Sequence, residues 1–186
     1  MDGVLAFLAK HCSDKKCALP SNTVVCSLGD SCSSLVVLTK GKVKVYRVAQ
    51  DGRHITLYRI NAGEGCVLTA SCLLNEQPFP AIAVTEEFCE GYVIAPSIFK
   101  SWLDTEPVWR AFIFGLLSQR MGDLIMKVDQ LAFDSLETRL AQWLSGRSQT
   151  PILEVTHQQI AQELASSREV ISRSLKRLEE KGLIKL

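Results

Sequence analysis

The chain has 186 residues, of which 47% are hydrophobic and 22% are charged, a composition typical of folded protein with one large or two small domains. Its formal net charge of +1 excludes a globally basic surface, so a nucleic acid or anionic membrane would have to meet a local patch. The sequence carries no recognisable signal peptide, and charged residues interrupt its longest apolar stretch, 111–131. We therefore expect a cytoplasmic protein with no membrane partner.

The first hundred residues are typical of β structure, after a short amphipathic helix expected at 2–10. Turn signals separate runs rich in Val, Ile, Leu and Tyr at Gly29-Asp30, Lys40-Gly41 and Asp51-Gly52. The alternation of Val43 and Val45 with lysines predicts a half-buried strand, and the Asp-Gly pair between two such runs predicts a hairpin. Several short strands at this spacing predict a sandwich or barrel, which we assign to residues 1–106.

A long helix is predicted over 107–133, beginning at Pro107, a residue favoured in the first helical turn. Its apolar residues repeat at heptad spacing, at Phe114, Leu117, Met121, Leu124, Val128 and Leu131. This seam predicts a two-stranded coiled coil between identical chains, and so a dimerisation helix. The alternative is that the helix packs only on its own barrel, for which a flanking apolar face is available.

Residues 134–186 are predicted to form a helical domain. Its first helix is expected to have Asp134 as N-cap, with a polar linker at 145–151 and a short strand at 152–155 after it. Two short helices then follow closely and predict a helix-turn-helix. The capping-box pattern of Thr156 and Gln159 starts the first, and Ser166-Ser167 starts the second.

The second of these helices separates into two faces at 100° per residue. One face is apolar or small, with Val170, Ile171, Ser174, Leu175 and Leu178. The other carries side chains suited to base edges and phosphates, Arg168, Glu169, Ser172, Arg173 and Lys176. Six basic and three acidic residues between 168 and 185 leave an excess of three positive charges, the local footprint of a DNA reader. The alternatives are an ordinary solvated face, and a capping role for Glu169 opposite Ser166.

These motifs together resemble the cyclic-AMP receptor/FNR (Crp/Fnr) superfamily of bacterial transcription regulators. The β-roll of this family is resembled by the segment LGDSCSSLVVLTKGKVKVYRVAQDGRHITLYRINAGE. The seam helix resembles the family's dimerisation helix. The family's recognition helix is resembled by the segment SSREVISRSLKRLEEKGLI. The resemblance implies an α+β fold with an N-terminal β-roll (double-stranded β-helix) sensor domain and a C-terminal helix-turn-helix of the winged-helix type. The wing is expected to be short or incomplete, because the sequence stops at Leu186.

The resemblance also implies a function. It implies a homodimer, not an enzyme, that binds a palindromic operator in double-stranded DNA and acts with RNA polymerase. Within the recognition helix, Arg168, Glu169, Ser172 and Arg173 match the family positions that read bases.

The effector segment departs from the pattern of members that bind cyclic nucleotides. Those members carry Gly-Glu after the turn and Arg-Ser-Ala about ten residues later, where this sequence has Val67-Leu68 and Phe79-Pro80-Ala81. No basic residue lies between Gly63 and Phe99, and a buried phosphate needs an Arg or a helix N-terminus. We therefore expect no cyclic nucleotide.

All seven cysteines lie before residue 90, and three of them, Cys32, Cys66 and Cys72, are the candidate effector or metal residues. Two interpretations stay open. The thiols form a functional site (a redox switch, a bound metal or metalloid, or an iron–sulfur cluster), or they are small packing residues of the core. The first four cysteines are spaced more widely than the cysteines that bind the iron–sulfur cluster in other members of the family. One alternative function is a thiol- or metal-dependent cupin-like enzyme. The other is a regulator or interaction module that uses another effector such as haem, for which His54 is the candidate ligand.

The segment CVLTASC limits how two of these thiols can meet. Cys66 and Cys72 would be about 20 Å apart in a straight strand. In a helix they would be about 9 Å apart. A disulfide needs Cα atoms about 4.4–6.8 Å apart. They can therefore meet only if the chain folds back near 69–71, or if each finds another partner such as Cys32.

Overall fold

Short antiparallel strands separated by glycine turns build the N-terminal part of the chain. They are β1 Lys16–Leu19, β2 Val24–Cys26, β3 Leu35–Lys40, β4 Val43–Val48, β5 His54–Ile60, β6 Ile82–Thr85 and β7 Cys89–Ile94. Gly41, at φ +90°, makes the tight turn between β3 and β4, a conformation that favours glycine. A Cβ at Gly41 would also lie 2.7 Å from Sγ of Cys89, so this turn packs directly on a cysteine.

The strands form two sheets, in the order β1-β7-β3 and β2-β6-β4-β5. In the first sheet Leu35 pairs with Ile94, and in the second Val45 pairs with Ala83. These four side chains are buried, which agrees with the alternation of apolar and polar residues along the strands. The arrangement is the β-roll expected from the sequence.

Helices pack on and follow the sheets. The structure is a computed structural model that describes residues 2–49, 52–147 and 152–186. Its helices are α1 Asp2–His11, α2 Val67–Asn75, α3 Pro96–Thr105, α4 Pro107–Phe133, α5 Leu136–Ser145, α6 His157–Glu163 and α7 Arg168–Glu180. The sequence predicts β structure in the region of α2, and this prediction was wrong. Its residues show no helical amphipathic pattern because most of them are buried.

The chain divides into two compact units. The first contains Met1–Arg47 and Leu57–Gly122, and the second contains Val48–Thr56 and Asp123–Leu186. The boundary after Gly122 falls inside α4, whereas the sequence analysis assigned 1–106, 107–133 and 134–186 to separate regions. None of the described helices is long and apolar enough to cross a membrane.

Three clusters of buried side chains form the cores. In the first unit, one cluster joins α1, α3 and the start of α4 around Trp109, and the other lies between the sheets around Val45 and Phe79. The cluster of the second unit joins α5, α6 and α7 around Leu140 and Ile171. Five of the seven cysteines, Cys26, Cys32, Cys66, Cys72 and Cys89, belong to or pack against the cluster between the sheets.

Two local predictions were wrong. The N-cap of α5 is Ser135, whose hydroxyl accepts a 3.1 Å hydrogen bond from the Thr138 amide, so Asp134 lies just outside the helix. Residues 152–155 form no strand, because a short apolar run needs a neighbouring strand and none of those described pairs with it. Three parts of the predictions lie outside what the structure describes, namely Asp51 of the hairpin, residues 148–151 of the linker and the side chain of Leu131.

Candidate functional sites

The helix-turn-helix is built by two capped helices. The Gln159 amide donates to the Thr156 hydroxyl at 3.2 Å, and the Thr156 amide donates to Oε1 of Gln159 at 2.8 Å, which confirms the predicted capping box. Ala165, at φ +50°, provides the sharp turn after α6. The helix-turn-helix predicted from sequence is therefore formed, with α7 as its second helix.

The start of α7 is set by Ser167 and not by Ser166. The Ser167 hydroxyl accepts a 3.3 Å hydrogen bond from the Val170 amide. The pKa of Glu169 is lowered by hydrogen bonds from its own backbone amide and from the Ser167 hydroxyl. Glu169 is thus an ionised, exposed residue of the first turn, where a negative charge also favours the helix dipole.

The two faces of α7 differ in exposure as their residue types predict. Ile171, Ser174, Leu175 and Leu178 are buried against the core of the second unit. The five candidate DNA-binding residues lie on the other face, where Arg168, Glu169, Arg173 and Lys176 are exposed and Ser172 is half-buried. Their contacts with DNA stay a prediction, and the structure leaves this face open for them.

The seam of α4 is an exposed apolar row in the single chain. Phe114, Met121, Leu124 and Val128 are each 57–65% exposed, whereas Leu117 packs partly against the first core. Large apolar side chains spaced along one face of a helix at heptad intervals are typical of a surface that a second helix covers. The dimer contact itself stays a prediction.

Two of the three candidate effector residues, Cys32 and Cys66, line a cavity of about 400 Å³ inside the β-roll, whereas Cys72 is not among its lining residues. Five cysteines line it, Cys17, Cys26, Cys32, Cys66 and Cys89. We call this cavity the cysteine pocket. Its lining also contains Asp30 and Glu90 but no Lys, Arg or His among the described residues.

Cys32 is the centre of a chain of thiols. Its thiol interacts with Cys26 on one side and with Cys72 on the other, and each of them influences its pKa. Cys66 forms the N-cap of α2 and Cys72 lies within that helix. The chain therefore does not fold back near 69–71, and the two cysteines have different neighbours, Cys32 for Cys72 and the Tyr58 hydroxyl for Cys66. Sequence reasoning missed Cys26, which is brought here only by the pairing of β2 with β6.

Burial governs the chemistry of these thiols. It raises the pKa of Cys26, with a further contribution from the Asp30 carboxylate, and it raises the pKa of Cys32. It raises the pKa of Cys72 to about 12, helped by the hydrogen bond with Cys32. All three are therefore protonated thiols near neutral pH.

A preassembled metal centre does not fit these side chains. Among the described residues, no group of three or more His, Cys, Asp or Glu side chains is arranged to hold a metal ion. His54, the haem-ligand alternative, is exposed on β5 and is not among the residues that line the cysteine pocket. The arrangement is instead suited to reactions that join two neighbouring thiols.

Tyr58 connects the cysteine pocket to its surroundings. Its hydroxyl lies 3.4 Å from Sγ of Cys66 and accepts a 3.4 Å hydrogen bond from the Leu68 amide. Burial, and then the neighbouring Cys66, raises the pKa of Tyr58, which keeps it a neutral phenol. The guanidinium of Arg120, from α4, lies 4.8 Å from the centroid of its ring.

Comparisons with known proteins agree with this architecture. The cyclic nucleotide-binding domain family matches residues 16–106, and the Crp-like helix-turn-helix domain family matches residues 138–186. The chain is 26% identical over 193 residues to the cAMP-activated global transcriptional regulator CRP of Haemophilus influenzae, covering 98% of this chain and 84% of that protein. It is 27% identical over 161 residues to the cyclic AMP receptor protein of Thermus thermophilus, covering 85% and 74%.

Solved structures show the same fold over nearly the whole length. The c-di-GMP responsive global regulator CLP of Xanthomonas campestris superposes with a TM-score of 0.84 at 25% identity, covering 100% of this chain and 95% of that one. A Crp/Fnr-family protein from Eubacterium rectale superposes with a TM-score of 0.82 at 28% identity, covering 95% and 84%. The chain therefore belongs to the Crp/Fnr family of DNA-binding transcription regulators.

Proposed function

We propose that this chain is a homodimeric, sequence-specific transcription regulator whose affinity for DNA is set by thiol chemistry in the cysteine pocket. It reads a palindromic operator through α7, works with RNA polymerase and is not an enzyme. The observation that carries the proposal is the position of Cys32 in the sensor cavity of a DNA-binding protein, where its thiol interacts with Cys26, which also lines the cavity, and with Cys72, which lies outside the lining.

The charge of the cysteine pocket argues against the nucleotides named for the relatives. A buried phosphate is favoured by a cation or a helix N-terminus with open amides. The described lining includes the start of α2, at Cys66 and Thr69, but it contains no Lys, Arg or His, and the acids Asp30 and Glu90 oppose an anion. The absence of Arg from the effector segment of the sequence predicts the same. We accordingly propose that neither cyclic AMP nor another anionic nucleotide controls this protein.

The reaction we propose is reversible joining of Cys32 to Cys72 or to Cys26. Two thiols lose two protons and two electrons to an oxidant, either a peroxide, which becomes water, or a small disulfide, which becomes two thiols. Because these thiols are protonated near neutral pH, the reaction is expected to be slow with dilute peroxide. A metal or metalloid bound by the same thiols would require them to rearrange, since no group among the described residues is preassembled.

The test is operator affinity as a function of thiol state. An operator is selected from random duplex DNA, and its affinity is measured for reduced protein and after treatment with diamide, oxidised glutathione, peroxide, zinc or arsenite. We expect a disulfide-forming reagent to change affinity at least fivefold in the parent, the range of typical allosteric coupling, and to change it little in Cys32→Ser.

A matched control is Cys12→Ser. Cys12 is a buried cysteine of the other core cluster of the first unit and does not line the cysteine pocket. Its serine variant should respond as the parent does. If Cys32→Ser responds as fully as the parent, the cysteines are packing residues and the effector acts elsewhere.

A further inference from the structure

Three contacts tie one residue of α4 to the segment that frames the cysteine pocket. Arg120 donates to the backbone carbonyl of Arg59 at 3.0 Å and to Oε2 of Glu64 at 2.8 Å. Its guanidinium also lies over the ring of Tyr58, at 4.8 Å from the centroid. The side chains of Arg120 and Glu64 are only 16% and 13% exposed, so this ion pair is better shielded from solvent than a surface pair.

The other end of Tyr58 contacts the first turn of α2. Its hydroxyl has one hydrogen to donate and two lone pairs to accept with. The Leu68 amide occupies one lone pair, and Sγ of Cys66 takes part in the remaining hydrogen bond. The phenol therefore bonds both a thiol and a backbone amide at the start of the helix that also carries Cys72.

We propose that Tyr58 and Arg120 are positioning residues that transmit the state of the cysteine pocket to α4. This inference rests on the proposed thiol control of DNA affinity. A bond from Cys32 to Cys72 pulls on α2, whose N-cap, Cys66, and first turn, at Leu68, provide the partners of the Tyr58 hydroxyl. The ring then shifts beneath Arg120, and Arg120 is part of the helix whose seam is predicted to hold the dimer together. A tightly packed group of this kind changes between discrete arrangements, which is what a switch requires.

The main variant is Tyr58→Phe, which removes the hydroxyl and keeps the ring beneath Arg120. It is treated with diamide, and two quantities are measured, disulfide formation by peptide mapping and operator affinity. We expect the same disulfide as in the parent but less than a twofold change in affinity, against fivefold or more in the parent. A full parental response in Tyr58→Phe would overturn the proposal.

Two further variants sharpen the result. Tyr46→Phe makes the same chemical change on β4 at a residue that does not line the cysteine pocket, and it should keep the parental response. Arg120→Lys keeps a positive charge near Glu64 but loses the planar group over Tyr58, and it should lose the response as Tyr58→Phe does. An Arg120→Lys protein that responds fully would contradict the role of Arg120.

A measurement without any oxidant separates this inference from the proposed function. Operator affinity is compared for Cys66→Ala, Tyr58→Phe and the double variant, all kept reduced. If the two residues act through one contact, the double variant should differ at least threefold from the product of the single effects, an expectation based on couplings between contacting residues. Additive effects would overturn the proposed role of Tyr58, whether or not the parent responds to diamide. If the effects are non-additive but the parent does not respond to diamide, only the proposed thiol control of DNA affinity is contradicted.

Discussion

Arg177 donates a 3.0 Å hydrogen bond to Oε1 of Glu137, so α7 directs one of its basic side chains at α5. Lys181 lies 3.8 Å from the other oxygen of the same carboxylate. The bond with Arg177, and then the charge of Lys181, lowers the pKa of Glu137, which keeps this cluster charged down to acidic pH. Two of the six basic residues counted in the sequence therefore have a carboxylate partner within the domain, and the basic face for DNA is narrower than the count indicated. Arg173 donates only to the backbone carbonyl of Glu169, at 3.4 Å.

The first prediction distinguishes a base-reading arginine from one that is paired with a carboxylate within the domain. Arg173→Ala should weaken binding to the selected operator by about 1–3 kcal/mol and relax the preference at one guanine-containing pair. Arg177→Ala should have a smaller effect that does not depend on base identity. Competition binding with operators substituted one pair at a time measures both, and equal losses on operator and random DNA for Arg173→Ala would exclude base reading.

The second prediction concerns Lys176, an exposed residue of the same face. If it contacts a phosphate, Lys176→Ala should weaken binding to all sequences alike and reduce the salt slope of the affinity by about one ion. Titrations at several salt concentrations on operator and random DNA provide the slope. An unchanged slope would place Lys176 away from the backbone.

The third prediction tests the seam of α4. Leu124→Asp places a charge on the predicted coiled-coil face and should convert dimers to monomers, with loss of operator binding. Met126→Asp is the matched control, because Met126 is 64% exposed and Leu124 62%, but only Leu124 occupies a seam position. Light scattering at micromolar concentration measures both. A monomeric parent, or equal disruption by the two variants, would show that the seam does not join two chains.

The fourth prediction concerns the N-cap of α7. Ser167→Ala removes the hydroxyl that accepts from the Val170 amide and should lower the stability of α7 by about 1 kcal/mol. Ser166→Ala should cost much less, although both serines fit a cap in the sequence. Native-state hydrogen exchange of the α7 amides reports the local free energy, and the reverse order of the two effects would contradict the observed cap.

The fifth prediction follows from the pKa of Cys72, which burial raises to about 12. An unfolded thiol has a pKa of about 8.5. The neutral thiol therefore favours folding below that unfolded pKa, and this contribution is lost as the pH rises through it towards 12. Alkylation of Cys72 by iodoacetamide in the native protein should keep accelerating past pH 9, whereas in denatured protein the rate should level off. A native rate that levels off near pH 9 would contradict the raised pKa.

The sequence predicts most of the architecture because the relevant signals are local. Each of these signals depends on residues only a few positions apart, as in the glycine turns, the alternating valines on β4 and the Thr156 capping box. Helix α2 escaped prediction because five of its nine residues are buried and the apolar Leu74 is exposed, so no amphipathic pattern marks it as a helix. The cap of α5 was misplaced by one residue because Asp134 and Ser135 are both good caps, and only the backbone geometry decides between them.

The candidate site was predicted only in part, for a different reason. Cys66 and Cys72 stand out as a motif in the sequence, and Cys32 was selected with them. The contacts of Cys26 and Tyr58 depend on strands β2 and β5, which reach the pocket through sheet pairing and not through sequence spacing. The Arg120–Glu64 ion pair joins residues 56 positions apart, and no local pattern indicates it.

The central position of Cys32 also limits how many bonds the cluster can form. A sulfur atom takes part in one disulfide at a time, so a bond to Cys26 and a bond to Cys72 exclude each other. A two-electron oxidation of this trio therefore leaves one thiol unreacted beside the new bond. That leftover thiol is placed to attack the bond it adjoins, so the two oxidised isomers can interconvert by exchange without any further oxidant. The protein would then have three covalent forms, one reduced and two isomeric, and the ratio of the two isomers would be an internal property of the fold.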